Sequence, residues 1–188
     1  MIRIFEQYSS KKSKSMLGLV GSSWERRIVS EIDSAMNKWI DAIPDHCAWF
    51  HAFAHHVLNQ FWASVAVRWN PHQQNPTFFN QSATLMCFYY EIQILVHRPF
   101  ILHAATFPMS RSSLCICTAA ARASSHILAL LLPNKAALPY LSTCAFSSCI
   151  VLLLNIWGAK KLGLPADPKR HMQDIFKCLS YLNAHSQR

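Results

Sequence analysis

Glycine is scarce in this chain of 188 residues, which has only four glycines, whereas 52% of its residues are hydrophobic. Sheet proteins with many tight turns need glycine for backbone conformations that other residues avoid, and disordered chains lack the apolar residues that a core requires. The composition therefore favours packed helices. The length suits one domain with a sizeable core. We expect an all-α fold built as a multi-helix array.

Acidic residues are nearly absent from the middle of the chain, where Glu91 is the only one between Asp45 and Asp167. General acid-base catalysis and the binding of hard cations usually draw on several carboxylates placed close together. A glycine-rich phosphate loop is also missing from the sequence. We therefore expect no enzyme, no catalytic residue, no cofactor and no metal ligand in this chain. An enzyme with a cysteine or histidine nucleophile is the least favoured alternative, because few acidic residues are present in the middle of the chain to orient a Cys-His pair. This alternative stays open, since folding can bring distant groups together.

The cysteines form no Cys-x-x-Cys pair, and no secretory signal precedes them, because Arg3 and Glu6 interrupt the short apolar start. Disulfides persist mainly in oxidising compartments. The sequence thus predicts a reducing, intracellular location in which thiols serve as small buried apolar groups. The seven are Cys47, Cys87, Cys115, Cys117, Cys144, Cys149 and Cys178.

Basic residues outnumber acidic ones by 18 to 9, and the excess lies mostly towards the ends of the chain. Clusters of this kind attract nucleic acid, anionic lipid or an acidic partner, and salt weakens the attraction. A solvated basic surface without a partner is the simpler interpretation. Residues 1–21, which contain SSKKSKS, are predicted to be a flexible basic lead-in. The basic clusters are Lys11, Lys12 and Lys14, then Arg26 and Arg27, then Lys160, Lys161, Lys169 and Arg170.

The first two predicted helices have clear start signals. Ser22 and Glu25 form a capping-box pattern, and the helix that they begin ends before Pro44. Asn75 and Pro76 are a cap and a first-turn residue for the second helix. Apolar spacings of three and four residues predict the buried faces. These faces hold Trp24, Ile28, Ile32, Met36, Trp39, Ile40 and Ile43 in the first helix, and Phe78, Ser82, Leu85, Tyr89, Ile92 and Val96 in the second.

The stretch EIQILVHRPF, residues 91–100, places a charged pair and a proline behind an apolar run. Proline disfavours the helical conformation of the residue before it, and a cation interacts favourably with the negative end of the helix dipole. We therefore expect His97 and Arg98 to finish the second helix, Pro99 to stop it and Phe100 to enter the core.

Three further helices are predicted after residue 111. The third runs from Ser112 or Ser113 to about Leu132, and its small residues let another helix approach closely. The fourth, from about Leu138 to Lys161, is apolar all round, as expected of a central buried helix. The fifth has Asp167 as its cap and Pro168 in its first turn. The predicted inner faces are Leu114, Cys117, Ala121, Ser124, Leu128 and Leu131 in the third helix, and Met172, Ile175, Phe176, Leu179 and Leu182 in the fifth.

Residues 47–67, CAWFHAFAHHVLNQFWASVAV, carry no Asp, Glu, Lys or Arg. His51 and His55 lie one helical turn apart, but the glutamate of a zinc-protease motif is missing. The aromatic residues also allow a membrane-surface helix. We favour an ordinary buried helix over both.

A retained intron is a further hypothesis for this segment. Codons for Cys47 and Ala48 can spell a donor-like GTGCG, and those for Ala66 and Val67 an acceptor-like GCAG. Removing the intervening message keeps the frame and leaves one leucine codon. Transcripts that all read through the region without interruption would exclude this origin.

With residues 47–67 set aside, five motifs occur in a familiar order. They are DSAMNKWIDAIPDH, RWNPHQQNPTFFNQSATLMCFYYEIQILVHRPFI, SLCICTAAARASSHIL, CIVLLLNIWGAKKLG and DPKRHMQDIFKCLSYL. From about residue 13 to 183 the chain resembles the regulatory domain, or middle homology region, of fungal binuclear zinc-cluster transcription factors, particularly the basidiomycete type. The resemblance implies a nuclear, helical domain that follows a DNA-reading zinc cluster and modulates activation.

One departure from that family concerns DNA binding. The zinc cluster needs six cysteines that begin Cys-x2-Cys-x6-Cys, and this spacing does not occur here. The expected zinc and direct DNA contacts therefore belong to an N-terminal cluster that is absent from this sequence. A truncated gene or a partial paralogue would account for this.

The leading hypothesis is thus a regulatory module that binds protein partners or the rest of a transcription factor, with a homodimer as one option and DNA contacted only indirectly. Candidate contacts to a partner or ligand are His97, Arg98, His126 and Asn155. The simpler interpretation is that the first two cap and brace a helix and the other two are hydrogen-bonded core groups.

A membrane-associated protein is the alternative function. Residues 136–159 carry no formal charge, and Lys160 and Lys161 follow at once. Pro139 and Asn155 interrupt the segment, so we expect no membrane partner.

Overall fold

The computed structural model describes residues 22–43, 74–101, 110–133, 138–162 and 168–186. These residues are 94% helical and contain no strand, which confirms the predicted all-α class. The predicted lead-in 1–21, the segment 47–67 and the cap Asp167 lie outside them. The five helices are α1 (Ser22–Asp41), α2 (Pro76–Ile101), α3 (Ser110–Leu131), α4 (Ser142–Leu162) and α5 (Pro168–Ser186), with a short 3-10 turn, Pro139–Leu141, before α4.

The chain divides into two compact units, Met1–Ile43 and Pro44–Arg188. The first contains α1, which ends before Pro44 as predicted. Its buried side chains recur at helical spacing, whereas Arg27 and Glu31 form an exposed ion pair at 3.9 Å that adds little stability. Burial of the apolar face is therefore the main contribution to α1. That face consists of Ile28, Val29, Ile32, Met36 and Ile40.

The start of α2 confirms its predicted cap. The Oδ1 atom of Asn75 accepts hydrogen bonds from the backbone N–H groups of Thr77, at 2.9 Å, and Phe78, at 3.4 Å. The end of α2 corrects the prediction, since Pro99 lies inside the helix, which continues to Ile101. A proline near a helix end removes only one backbone hydrogen bond, which is a small cost. Burial of the Phe100 side chain in the core favours continuation of the helix past Pro99.

The four described helices of the second unit alternate in direction. The contacts of His97 with Ser113 and of the Ile94 carbonyl with Cys117 run in opposite order along α2 and α3, so these two helices are antiparallel. The contacts of Leu138 with Tyr181 and of Cys149 with the Ile175 carbonyl show that α4 runs antiparallel to α5. Arg122 and His126 of α3 contact Asp174 and Lys177 of α5 in the same order, so α3 is parallel to α5 and antiparallel to α4. Both α3 and α4 pack against each of the other three helices. The result is an up-down-up-down arrangement with α3 and α4 at its centre.

The core of this unit is filled from α2 and α3 largely as the patterns indicate. Small residues on α3, among them Ala120, Ala121 and Ser124, are buried, which fits the predicted close approach of another helix. On α2 the burial is broader than one stripe, because α3 and α4 pack on two of its sides. The predicted Phe78, Leu85 and Ile92 are only half-buried. The buried side chains of α2 are Phe79, Ser82, Ala83, Met86, Cys87, Tyr89, Tyr90, Glu91, Ile94, Val96, His97 and Phe100.

The structure corrects the predicted burial of α4 and α5. The helix α4 is not buried all round, because Phe146 and Trp157 are among four large apolar side chains exposed along one side. On α5 the predicted inner residues Met172, Phe176 and Leu179 are exposed. The buried side chains of α5 are instead His171, Asp174, Ile175, Cys178 and Tyr181.

Candidate functional site

Of the predicted contacts, His97 and Arg98 point into different environments. The His97 side chain is 2% exposed, and its Nδ1 lies 3.2 Å from the Ser113 hydroxyl. Arg98 is exposed. Burial raises the pKa of the Glu91 carboxyl and of the Cys117 thiol, and the charge of Arg98 acts in the opposite direction on both. These geometries fit a brace between α2 and α3 and a solvated charge at the helix end. They do not form a shared site.

Asn155 links two core helices. Its Nδ2 donates a hydrogen bond of 2.6 Å to the Oγ1 atom of Thr118, and the side chain is half-buried. This position fits the interpretation of Asn155 as a hydrogen-bonded group between α4 and α3.

His126 lies on the surface rather than in the core, and it faces a buried carboxylate. Asp174 contacts Lys177 Nζ at 2.7 Å, Arg122 Nε at 3.3 Å and His126 Nε2 at 3.6 Å. The Asp174 side chain is 3% exposed, whereas that of His126 is 59% exposed. Lys177 Nζ also lies 3.3 Å from His126 Nδ1. One buried carboxylate therefore gathers three basic side chains at the α3–α5 contact, an arrangement that joins these helices.

Glu91 is the second carboxylate within the described part of this unit, and it is also buried, with 8% of its surface exposed. Burial raises the pKa of its carboxyl, while the hydrogen bond that Ser147 donates at 2.9 Å and the charge of Arg98 act in the opposite direction. The group faces Ser147 of α4 inside the helix contact.

The cysteines of the described residues are free thiols, and Cys115 is the exposed one. Burial raises the pKa of Cys117 to about 12. A hydrogen bond from the Cys178 thiol lowers the pKa of Cys149, although Cys149 is 5% exposed. Among the residues that the structure describes, no group of three or more His, Cys, Asp or Glu side chains could hold a metal ion.

The feature that the sequence patterns did not predict is an exposed apolar surface on α4 and α5. On each helix the exposed apolar residues recur at spacings of three and four, so they share one side of that helix. We call this surface the α4–α5 face. It consists of Phe146, Ile150, Leu153 and Trp157 on α4 and Met172, Phe176 and Leu179 on α5.

The two stripes border the same helix contact. Cys149 and Ile175 are both buried, and the Cys149 thiol donates to the Ile175 carbonyl at 3.9 Å. The residues one and four positions after Cys149 are Ile150 and Leu153, and those one and four positions after Ile175 are Phe176 and Leu179. These positions lie on the outer side of the contact on both helices. The stripes therefore form one continuous surface.

Charge is distributed unevenly around this surface. In the described part of the second unit every exposed charged residue is basic, and both carboxylates, Glu91 and Asp174, are buried. Since the helices alternate in direction, the ends of α2 and α4 and the starts of α3 and α5 lie together. We call this the basic end. Its exposed residues are Arg98, Arg111, Lys160, Lys169 and Arg170.

Each stripe ends in a lysine at the basic end. Lys160 follows Trp157 by three residues on α4, and Lys169 precedes Met172 by three residues on α5. At the opposite end Thr143 and Asn183 are exposed and uncharged. The α4–α5 face is thus apolar along its length, basic at one end and polar at the other.

Two helices, α3 over Arg111–Leu131 and α4 over Ser142–Lys160, are long and apolar enough to cross a membrane by length and composition alone. Half of the first window and 33% of the second are buried inside the protein. Core helices of soluble proteins meet the same criterion, so this observation has little weight by itself.

Comparisons with protein-family models, with curated proteins and with solved structures found no match to this chain.

Proposed function

We propose that this protein is a non-enzymatic helical module that regulates transcription by docking a partner on the α4–α5 face. The observation that supports docking is the exposure of seven large apolar side chains beside a buried core. Contiguous exposed apolar patches on soluble proteins mark interaction surfaces, because leaving them in water is unfavourable. A single helix pair provides the whole patch, so a partner can contact it without disturbing the fold.

The proposed role in transcription and the nuclear location rest on the resemblance to fungal transcription-factor regulatory domains. We infer a nuclear protein that modulates RNA polymerase II transcription through protein partners or through another part of the same regulator. Zinc binding and DNA reading are assigned to a six-cysteine cluster that this sequence does not contain. Contact with DNA is therefore proposed to be indirect.

The four residues first considered as contacts receive supporting roles in this proposal. His97 and Asn155 form hydrogen bonds between helices, and His126 faces Asp174. Arg98 contributes to the basic end. We propose that these residues stabilise the helix contacts and contribute positive charge to the basic end, while the α4–α5 face binds the partner.

A reporter assay tests the proposed function. The full chain is fused to an unrelated DNA-binding domain, and transcription of a reporter gene is measured in cells. We expect the fusion to change transcription relative to the DNA-binding domain alone, and the double substitution Phe146→Ser with Phe176→Ser to remove the change. Leu130→Ser is the matched control, since Leu130 is an exposed apolar residue on α3. A fusion that leaves transcription unchanged contradicts the proposal.

Membrane association is the alternative proposal, and the limited burial of Ser142–Lys160 is the observation that favours it. Extraction of cell membranes with alkaline carbonate distinguishes the two functions. A helix that spans the bilayer keeps the protein in the pellet, whereas a docking module is released into the supernatant.

A further inference from the structure

We propose that the partner of the α4–α5 face is an amphipathic helix whose apolar side packs on the face and whose acidic end meets the basic end. This inference rests on the proposed docking function and specifies the chemistry of the partner. Three properties of the surface lead to it: its apolar stripes, the sign of its charge and the position of that charge.

The apolar stripes match the dimensions of a helix. From Phe146 to Trp157 the α4 stripe covers about 16 Å, given a rise of about 1.5 Å for each residue. The α5 stripe runs beside it from Met172 to Leu179, over about 10 Å. Two neighbouring stripes form the kind of surface on which a third helix lays side chains at spacings of three and four residues. A partner helix of about three or four turns covers this length.

The sign of the charge selects an acidic partner. Lys160 and Lys169 end the two stripes, and no exposed carboxylate lies in the described part of the unit. An acidic group that meets this end gains attraction, and a basic group meets like charge. A second copy of the chain would bring another basic end, and the described part of this unit exposes no carboxylate to complement it. Charge complementarity therefore favours an acidic chain over self-association.

The position of the charge favours a polypeptide over a bilayer or a nucleic acid. An amphipathic surface that lies on an anionic bilayer usually has basic residues along its polar side. Here the exposed basic residues in the described part of this unit gather at one end, and Thr143 and Asn183 are exposed and uncharged near the other end. Binding of nucleic acid depends on phosphate contacts and does not account for seven exposed apolar side chains. A helix with acidic residues concentrated at one end satisfies both the apolar and the basic parts.

Two synthetic peptides of about four helical turns serve as probes. Both carry the same stripe of Leu and Phe at helical spacing. One has several glutamates in a terminal turn, and the other has lysines at those positions. Fluorescence anisotropy with the full chain measures the dissociation constant of each. We expect the glutamate peptide to bind at least about tenfold more tightly than the lysine peptide, with a difference that shrinks as salt increases.

Substitutions in the protein identify the surface. Phe146→Ser with Phe176→Ser is expected to weaken binding of the glutamate peptide at least about tenfold, and Leu130→Ser to leave it unchanged. The charge reversal Lys160→Glu with Lys169→Glu is expected to weaken the glutamate peptide and to strengthen the lysine peptide. This reciprocal change does not depend on the phenylalanine variants, and circular dichroism verifies that each variant is helical.

Several outcomes would overturn the inference. They are failure of the glutamate peptide to bind, equal binding of both peptides, binding that survives the phenylalanine substitutions, and displacement of the peptide by anionic vesicles or duplex DNA at comparable concentrations. A dimer of the free chain that the phenylalanine substitutions dissociate would assign the face to a second copy. If the reporter depends on the face while the peptide fails to bind, the partner chemistry is wrong and the regulatory function stands. If the peptide binds and the reporter does not respond, the regulatory function is wrong and the partner chemistry stands.

Discussion

The hydroxyl of Tyr181 forms two hydrogen bonds with the backbone of a single residue, Leu138. It accepts one from the Leu138 N–H and donates one to the Leu138 carbonyl, both at 2.9 Å. Tyr181 lies on the last turns of α5, and Leu138 immediately precedes the 3-10 turn Pro139–Leu141. The pair therefore attaches the start of α4 to the end of α5. Burial raises the pKa of Tyr181 to about 12, consistent with a phenol withdrawn from water.

Replacing Tyr181 by phenylalanine should destabilise the protein by about 1–2 kcal/mol, because both Leu138 groups lose their partner. Urea unfolding followed by circular dichroism measures the free energy of unfolding. Tyr140→Phe is the control, since that hydroxyl bonds Thr84 at 3.2 Å in an exposed position. The control should cost less than about 0.5 kcal/mol. Equal losses in the two variants would show that the Leu138 contacts do not contribute.

The adjacent residues His97 and Arg98 should respond differently to alanine. His97→Ala empties a buried site and removes the partner of Ser113, so we expect a loss of about 2–3 kcal/mol in the free energy of unfolding. Arg98→Ala removes an exposed side chain and should change stability by less than about 0.5 kcal/mol. Thermal unfolding of the two variants in parallel tests the assignment. A larger loss from Arg98→Ala would mean that its charge is a structural element.

Removing the charge of Asp174 should destabilise the α3–α5 contact. Asp174→Asn leaves Arg122 and Lys177 without their carboxylate, and breaking a buried pair costs about 3 kcal/mol. A double substitution, Asp174→Leu with Arg122→Met, should recover part of this loss, because an apolar side chain then replaces one of the two cations that lack a carboxylate. Glu31→Gln on α1 is the control, since its ion pair with Arg27 is exposed. Its cost should stay below about 0.5 kcal/mol. A double variant less stable than Asp174→Asn would contradict this explanation.

Glu91 should make stability depend on pH. Because burial raises the pKa of its carboxyl in the folded protein, the folded state holds the proton longer than the unfolded state, whose pKa is near the ordinary 4.5. Stability is then lost as pH rises from that value through the folded pKa. Glu91→Gln removes the titration, so its unfolding free energy relative to the natural protein should increase over this range.

Ser147→Ala provides a complementary measurement. Burial raises the pKa of the Glu91 carboxyl, and the hydrogen bond from the Ser147 hydroxyl lowers it. Without that hydroxyl the carboxyl should stay protonated to higher pH, and infrared titration measures this from the signal of the protonated carboxyl. If the difference in unfolding free energy between Glu91→Gln and the natural protein is constant with pH, the raised pKa of Glu91 is contradicted.

Thiol labelling tests whether the chain contains a reactive cysteine. In a background of Cys47→Ser, we expect one fast reaction with a bulky maleimide under native conditions, at the exposed Cys115, and its loss in Cys115→Ser. Cys149 should react slowly despite its lowered pKa, because the thiol is buried. Mass spectrometry of the labelled peptides identifies the sites. Fast modification of Cys149 would instead support the nucleophile alternative.

The sequence alone determined where most helices begin and end. Asn75 and Pro76 start α2, Pro133 follows the end of α3, and Pro168 starts α5, because caps and prolines act on the backbone within one or two residues. Pro99 is the exception. There the core site occupied by Phe100 outweighs the local preference for a helix end. The inner face of α3 was predictable too, since its small and apolar residues form one clear stripe.

Tertiary structure alone decided which sides of α4 and α5 face outward. The circumference of α4 is apolar, so its own pattern indicates no direction, and α2, α3 and α5 together cover only part of it. On α5 two stripes compete, one with Met172, Phe176 and Leu179 and one with Asp174, Ile175 and Tyr181. The second turns inward because Arg122 on α3 and Leu138 before α4 supply the charge and the backbone groups that Asp174 and Tyr181 need. Such partners are distant in sequence, and a periodic pattern records only the residues of its own helix.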